Sequence, residues 1–82
     1  MELKRYKKVN GIKQFNFQIN RVLTYGEEAC DEELVIRYLS DVRTIEEWYE
    51  AWTKLSAIAI DNNKVMHAAY YDRMAEFFLK QS

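Results

Sequence analysis

Apolar residues recur every three or four positions over most of the chain, as they do along the buried face of a helix. The stripes extend over residues 31–42, 45–61 and 64–80, and each is long enough for two or more helical turns. The first stripe consists of Leu34, Val35, Tyr38, Leu39 and Val42. The spacing predicts three consecutive helices with these approximate bounds.

Residues that start and stop helices stand at the ends of these stripes. Asp31 can accept a hydrogen bond from the first turn of the first helix. Thr44 and Glu47 form a capping box, in which the Glu47 carboxylate is expected to reach back to the Thr44 amide. The chain contains no proline and two glycines, so few residues interrupt the helices.

The pattern near the N-terminus is ambiguous between strand and helix. Phe15, Phe17 and Ile19 alternate with polar residues, whereas Phe15, Ile19 and Val22 have helical spacing. Asn10-Gly11 is a strong signal for a two-residue hairpin. We favour a basic extended arm over residues 1–14 with a turn at Asn10-Gly11, and then a helix over residues 15–25.

The last predicted helix has two apolar faces. The first face consists of Ala68, Tyr71, Ala75, Phe78 and Leu79. The second face consists of Met66, Tyr70, Met74 and Phe77. One antiparallel neighbour can cover only one of them, so this helix is expected to pack on more than one side.

The last two helices also have a tetratricopeptide-like spacing of large and small residues. Trp52, Leu55, Ser56, Ala68 and Ala75 occupy the positions where that motif places its Trp, Leu and small residues. Only one such repeat fits, so a peptide-binding array is not expected. The predicted fold is mainly α: a single helical domain over residues 15–82, a small bundle that ends in an antiparallel helical hairpin.

Composition and charge exclude several classes of protein. Eighty-two residues are too few for a doubly wound sheet or a barrel, and 49% hydrophobic residues are too many for a disordered chain. The net charge of −1 does not favour nucleic acid, although the arm is basic. No apolar run is long enough to span a membrane. The single cysteine, Cys30, favours a reducing compartment, and we expect the cytoplasm.

Residues that could carry catalysis or bind a metal do not form a recognisable motif. Ser56 and His67 lie nearly symmetrically about the turn at residues 61–63, but no orienting acid or oxyanion hole accompanies them. Cys30 precedes the start of a helix, a position that can lower the pKa of a thiol. We interpret it instead as an ordinary residue at the helix boundary. No Glu-x-x-His pair supports a metal site. We predict no catalytic residue, no cofactor and no metal.

Three longer stretches resemble a known family. They are Phe15-Asn16-Phe17-Gln18-Ile19-Asn20-Arg21-Val22-Leu23, Glu46-Glu47-Trp48-Tyr49-Glu50-Ala51-Trp52 and His67-Ala68-Ala69-Tyr70-Tyr71-Asp72-Arg73-Met74-Ala75-Glu76-Phe77-Phe78. In this order they resemble the N-terminal helical region of bacterial α/β-hydrolases related to 2,6-dihydropseudooxynicotine hydrolase and to acylaminoacyl-peptidase-like esterases. The resemblance covers nearly the whole chain from about residue 10.

The resemblance implies a non-catalytic part of a serine hydrolase. In that family such a helical segment packs over the active site as part of the cap, and the catalytic residues lie in a later domain. No catalytic residue can therefore be assigned within these 82 residues. The implied partner is the catalytic domain.

A stand-alone interaction module, as a homodimer or bound to another protein, is the alternative. It too would use the second face of the last helix, with a second copy or another protein as the partner. In either case the residues expected at packing surfaces are Trp48, Trp52, Tyr70, Tyr71, Met74, Phe77, Phe78, Arg21 and Arg73. The two arginines would either tie helices together or meet acidic groups on the partner.

Overall fold

Four helices make up the fold in the computed structural model, which describes residues 7–78. They are α1 (Lys13–Thr24), α2 (Glu32–Leu39), α3 (Ile45–Asp61) and α4 (Val65–Glu76). The described range contains no β-strand. The predicted class is confirmed: the chain is a small helical bundle in which α3 and α4 form a closely packed hairpin.

The caps of α2 and α3 follow the sequence signals, with one change of partner. The Asp31 carboxylate accepts from the Leu34 amide at 3.3 Å, and the Thr44 hydroxyl accepts from the Glu47 amide at 3.0 Å. The Glu47 carboxylate accepts from the amide of Arg43 at 2.8 Å, where the amide of Thr44 was expected. The Glu47 side chain thus reaches one residue further back than in a capping box, and it satisfies the backbone N–H group of Arg43 just before the helix.

Small residues let α3 and α4 approach closely. The tetratricopeptide-like positions Trp52, Leu55, Ser56, Ala68 and Ala75 are all buried. The alanines face α3 with no side chain beyond the β-carbon, so the large residues of α3 reach the backbone of α4. This interface forms a large part of the core.

The region before Phe15 departs from the predicted hairpin turn. The helix begins at Lys13, so residues 13 and 14 belong to α1 and the strand alternative is wrong. In the described range, positive φ angles occur at Gly26 and Asn63, and neither Asn10 nor Gly11 has the conformation of a type I′ hairpin turn. The Asn10 side chain instead accepts from the Ile12 amide at 2.8 Å, as in an Asx turn.

Buried asparagines attach the arm to α1. The Asn16 side-chain oxygen accepts from the amides of Val9 and Asn10 at 2.7 and 2.9 Å. Asn20 bonds the amide and the carbonyl of Lys7 at 2.9 and 2.8 Å. The side-chain amides of Asn16 and Asn20 thus form the hydrogen bonds that a neighbouring strand would form in a sheet. They attach residues 7–10 of the arm to α1. The first six residues of the predicted arm lie outside the described range.

The ends of α2 and α4 also differ from the prediction. The helix α2 ends at Leu39, where residue 42 was expected, and Val42 packs into the core from the following turn. The Asn10 side chain donates to the carbonyls of Leu39 and Val42 at 2.7 and 2.9 Å, which satisfies two carbonyls beyond the helix end. The helix α4 ends at Glu76, and predicted positions 79 and 80 are not among the described residues.

Candidate functional site

An aromatic cluster joins the three stretches that carry the family resemblance. Phe15 of α1, Trp48 of α3 and Phe78 after α4 are mutual neighbours. The ring centroids are 4.8 Å apart for Phe15 and Trp48, 5.1 Å for Trp48 and Phe78, and 5.4 Å for Phe15 and Phe78. Such tilted and edge-on contacts stabilise the packing beyond simple burial. Part of each resembling stretch therefore serves the chain's own core.

Three of the expected packing residues lie inside the chain. Trp48 and Trp52 are 0% exposed and Tyr71 is 1% exposed. The Trp48 indole donates to the Met74 carbonyl at 2.7 Å, and the Tyr71 hydroxyl accepts from the Asp31 amide at 2.9 Å. The packing surface that these residues provide is therefore the one between helices of this chain, and they have no area left to offer a partner.

The other expected residues meet at a groove between α1 and α4, which we call the α1–α4 groove. Its volume is about 230 Å³. The residues that line it are Gln18, Arg21, Val22, Tyr25, Tyr70, Arg73, Met74 and Phe77. The structure thus brings together Arg21, Tyr70, Arg73, Met74 and Phe77, while Phe78 belongs to the aromatic cluster.

The groove is made of two matching stripes. On α1 and its cap the lining positions are 18, 21, 22 and 25, and on α4 and its cap they are 70, 73, 74 and 77. Each set follows the i, i+3, i+4, i+7 spacing of a single helix face. Each stripe carries an arginine at its second position and an aromatic residue at its fourth. The groove is therefore a direct consequence of placing these two faces side by side.

The walls of the groove are apolar and only half covered. Tyr70, Met74 and Phe77 are half-buried, and Tyr25 remains 54% exposed. The rings of Tyr25 and Tyr70 lie 5.5 Å apart and bridge the two helices at one end. Tyr70, Met74 and Phe77 of the second apolar face of α4 thus lie beside α1 and line the groove, whereas Met66 lies outside it.

Arg21 and Arg73 are the charged residues that line the groove. Arg21 donates to the Gln18 side chain at 3.3 Å, within its own helix. In the described part of the chain neither guanidinium forms an ion pair with a carboxylate. Among the described residues, neither Arg21 nor Arg73 forms a hydrogen bond or an ion pair to another helix.

Three lining residues of this groove, Gln18, Val22 and Tyr25, were not among the expected packing residues, and the aromatic one is Tyr25. It lies at the C-cap of α1, just before Gly26, whose φ of 85° ends the helix. The available signal was its spacing of four from Arg21, which places both on one helix face. The periodicity drew attention instead to Phe15 and Ile19, which are buried on another face.

The nucleophile candidates do not form a catalytic group. No hydrogen bond joins Ser56 and His67, both of which lie in the described range, and Ser56 is buried in the hairpin. The His67 ring nitrogen Nε2 lies 2.6 Å from the Glu27 carbonyl, so it links the α1–α2 loop to α4. Burial raises the pKa of the Cys30 thiol to about 11, with a further contribution from the nearby carboxylates of Glu32 and Asp31. A thiol of that pKa is not an activated nucleophile.

Residues 7–78 contain no group of three histidine, cysteine or acidic residues that could hold a metal ion. Within the same range, no helix has the length and apolar character required to cross a bilayer.

Comparison of the chain with protein-family models, with curated proteins and with solved structures gave no match. The family resemblance therefore depends on the three stretches of residues alone. The groove has to be interpreted from its own geometry and chemistry.

Proposed function

We propose that this chain is the N-terminal helical cap segment of an α/β-hydrolase of the serine esterase or peptidase type, and that it packs on the catalytic domain through the α1–α4 groove. The segment forms or breaks no bond of a substrate. Its role is to cover part of the active site, where a cap shapes the substrate pocket and excludes water.

One observation carries this proposal: the resembling stretches include residues that line the α1–α4 groove and do not form the aromatic cluster of the core. Phe15, Trp48 and Phe78 hold the bundle together, whereas the side chains of Tyr70 and Met74 on the second face of α4 lie outside these three ring contacts and line the α1–α4 groove. Arg21 and Arg73 come from two different stretches and line one groove. Both arginines are exposed and form no ion pair among the described residues, so they are available to the polar surface of another domain.

The size of the groove supports a protein surface as its occupant. Sites for small molecules and cofactors usually measure about 300 to 1,000 Å³. A space of about 230 Å³ accommodates one or two inserted side chains. The groove is therefore large enough for the side-chain anchors of a packed domain.

Cytoplasmic location is part of the proposal. Cys30 is 3% exposed and is the single cysteine of the sequence. Its pKa of about 11 keeps it in the thiol form at neutral pH. A buried, unreactive thiol of this kind is typical of proteins in a reducing compartment.

The test is to isolate the natural gene product with an antibody against this chain and to label it with a fluorophosphonate, which reacts with activated serines. We expect a polypeptide several times heavier than 9.9 kDa that reacts with the label. Heating the protein before the label is added should prevent this reaction. A product near 9.9 kDa with no labelled protein bound to it would contradict the cap function.

A stand-alone interaction module is the second candidate, and a separate apolar patch favours it. Ile60, Val65 and Met66 at the α3–α4 turn are 59%, 72% and 60% exposed. Exposed apolar residues grouped in this way are typical of association surfaces. Sedimentation equilibrium of the purified chain tests this function: a dimer that a Val65→Asp, Met66→Asp variant dissociates would support it, and a monomer at all concentrations would exclude the homodimer.

A further inference from the structure

The α1–α4 groove differs in charge from the rest of the chain. The described residues that line it include two arginines and no acidic residue, although acidic residues outnumber basic ones over the full sequence by 13 to 12. The remaining lining residues are Gln18 and a set of apolar or aromatic side chains. The groove is therefore a locally cationic surface with apolar walls.

The two guanidiniums have unused capacity for hydrogen bonding. A guanidinium carries five N–H donors, and Arg21 uses one contact of 3.3 Å to Gln18. Arg73 is exposed and donates no hydrogen bond to residues in the described range. A carboxylate is the protein group that matches a guanidinium fork best, because both are planar and can form two parallel bonds.

We infer that the groove binds a segment of a partner polypeptide in which an Asp or Glu carboxylate stands beside an apolar side chain. The carboxylate meets Arg21 and Arg73, and the apolar side chain inserts between Tyr70 and Met74. This inference rests on the proposed function, since the segment would belong to the catalytic domain. It adds that the catalytic domain must present a carboxylate and a neighbouring apolar side chain at this contact.

A second copy of the chain fits this groove less well than a different polypeptide. The acidic side chains of the α1–α2 loop and the start of α2, Glu27, Glu28 and Glu33, are not part of the groove lining. Placing that acidic region of one copy against the groove of another would join two different surfaces. A two-fold dimer would need both surfaces to be paired at once, and otherwise the contact is heterologous and forms a ring or an open filament.

Titrations observed by NMR can test the inference with the full 82-residue chain. The probes are the dipeptide N-acetyl-phenylalanyl-glutamate amide, its glutamine counterpart and inorganic phosphate. We expect the glutamate dipeptide to shift the signals of Val22, Tyr70 and the Arg73 side chain. It should bind about 3- to 10-fold more tightly than the glutamine dipeptide, as expected for partly exposed ion pairs.

Matched variants separate the groove from the general surface. The double change Arg21→Gln, Arg73→Gln should remove the preference for glutamate, while Arg37→Gln, an exposed arginine on α2, should leave it unchanged. Equal binding of both dipeptides in the groove would overturn the carboxylate inference and leave domain packing intact. Absence of groove shifts with either dipeptide would overturn it as well, and the labelling experiment above would still decide the cap function.

The phosphate titration shows whether the groove is selective for a carboxylate beside an apolar side chain or binds any anion. If phosphate binds the two arginines as tightly as the glutamate dipeptide does and the apolar walls do not respond, the groove is a general anion site. That result would overturn a polypeptide segment as the occupant and would point to nucleic acid.

Discussion

The indole nitrogen of Trp48 donates a hydrogen bond of 2.7 Å to the backbone carbonyl of Met74, and this bond joins α3 to the last turn of α4. Trp52, one turn further along α3, is just as deeply buried, yet its indole nitrogen has no hydrogen-bond partner among the described residues. The two tryptophans thus form a natural pair for comparison, with equal burial and different polar environments.

Replacing each tryptophan by phenylalanine should separate the hydrogen bond from the burial. Both changes remove similar volume, but Trp48→Phe also removes the bond to Met74. We expect Trp48→Phe to lower the free energy of unfolding by about 1 kcal/mol more than Trp52→Phe does. Urea unfolding followed by circular dichroism measures both values. An equal or larger loss for Trp52→Phe would mean that the Trp48 bond contributes nothing.

The small residues on α4 give a second prediction. Ala68 is 5% exposed and packs against α3, whereas its neighbour Ala69 is exposed. Ala68→Leu should lower the free energy of unfolding by about 1–3 kcal/mol, because the added atoms force the helices apart. Ala69→Leu, the matched control, should change it by less than about 0.5 kcal/mol. If thermal unfolding shows equal effects, α3 and α4 are not packed as closely as described here.

Asn10 provides a third prediction, because its side-chain nitrogen donates to two carbonyls. In Asn10→Asp an oxygen replaces that nitrogen and faces the carbonyls of Leu39 and Val42. We expect a loss of about 2–3 kcal/mol in the free energy of unfolding, since both acceptors lose their donor and a buried charge is introduced. Asn62→Asp is the control, because Asn62 is exposed although it also donates to a carbonyl, that of Ile58. Similar losses for both would show that the arm is not anchored at Asn10.

Cys30 gives a prediction on pH. Its folded pKa is raised from 9.0 to about 11, so the folded chain keeps a proton that the unfolded chain releases. This contribution to stability is present below about pH 9 and is lost as the pH rises toward 11. Burial also raises the pKa of Tyr71 above its usual 10.0, which acts in the same direction.

The variant Cys30→Ala should flatten this pH dependence. For the wild-type chain we expect the free energy of unfolding to fall by roughly 1–3 kcal/mol across that interval, and to fall less in the variant. Urea unfolding at a series of pH values measures the difference. Parallel curves for the two proteins would show that the thiol titrates alike in the folded and unfolded states.

The helical hairpin could be predicted because its signals are local. The Thr44 cap, the stripe through Trp48 and Trp52 and the small residues of α4 each act within a few positions of the sequence. The bounds of α3 at 45 and 61 follow from them directly. Sequence periodicity identifies such a helix because the buried face repeats with every turn.

The arm could not be predicted because its partners are distant. The Asn-Gly pair indicates a hairpin when neighbouring strands are present, but here the Asn10 side chain reaches the end of α2, 29 residues away in sequence. Asn16 and Asn20 are buried polar residues whose partners are backbone groups of the arm. A sequence pattern shows the polarity of such residues and does not show which backbone will satisfy them.

Five of the residues that line the groove were expected at a packing surface, but the groove itself was not predicted. The two apolar faces of α4 follow from its periodicity, and Arg21 and Arg73 were singled out as polar groups within the resembling stretches. That these arginines line one groove with Tyr25 depends on how α1 lies against α4, which local spacing does not determine. Their residue types could be identified from the sequence, but their meeting at one site required the tertiary structure.

Photocrosslinking at the groove tests the proposed contact most directly. Tyr70 at the groove and Tyr49, exposed on α3 and outside the groove lining, would each be replaced by benzoylphenylalanine in the natural gene. After irradiation of the cells, we expect position 70 to link to a peptide of a serine-hydrolase catalytic domain that contains an Asp or Glu, and position 49 not to do so. Links from position 70 only to a second copy of this chain, or to a protein without a hydrolase domain, would contradict the account.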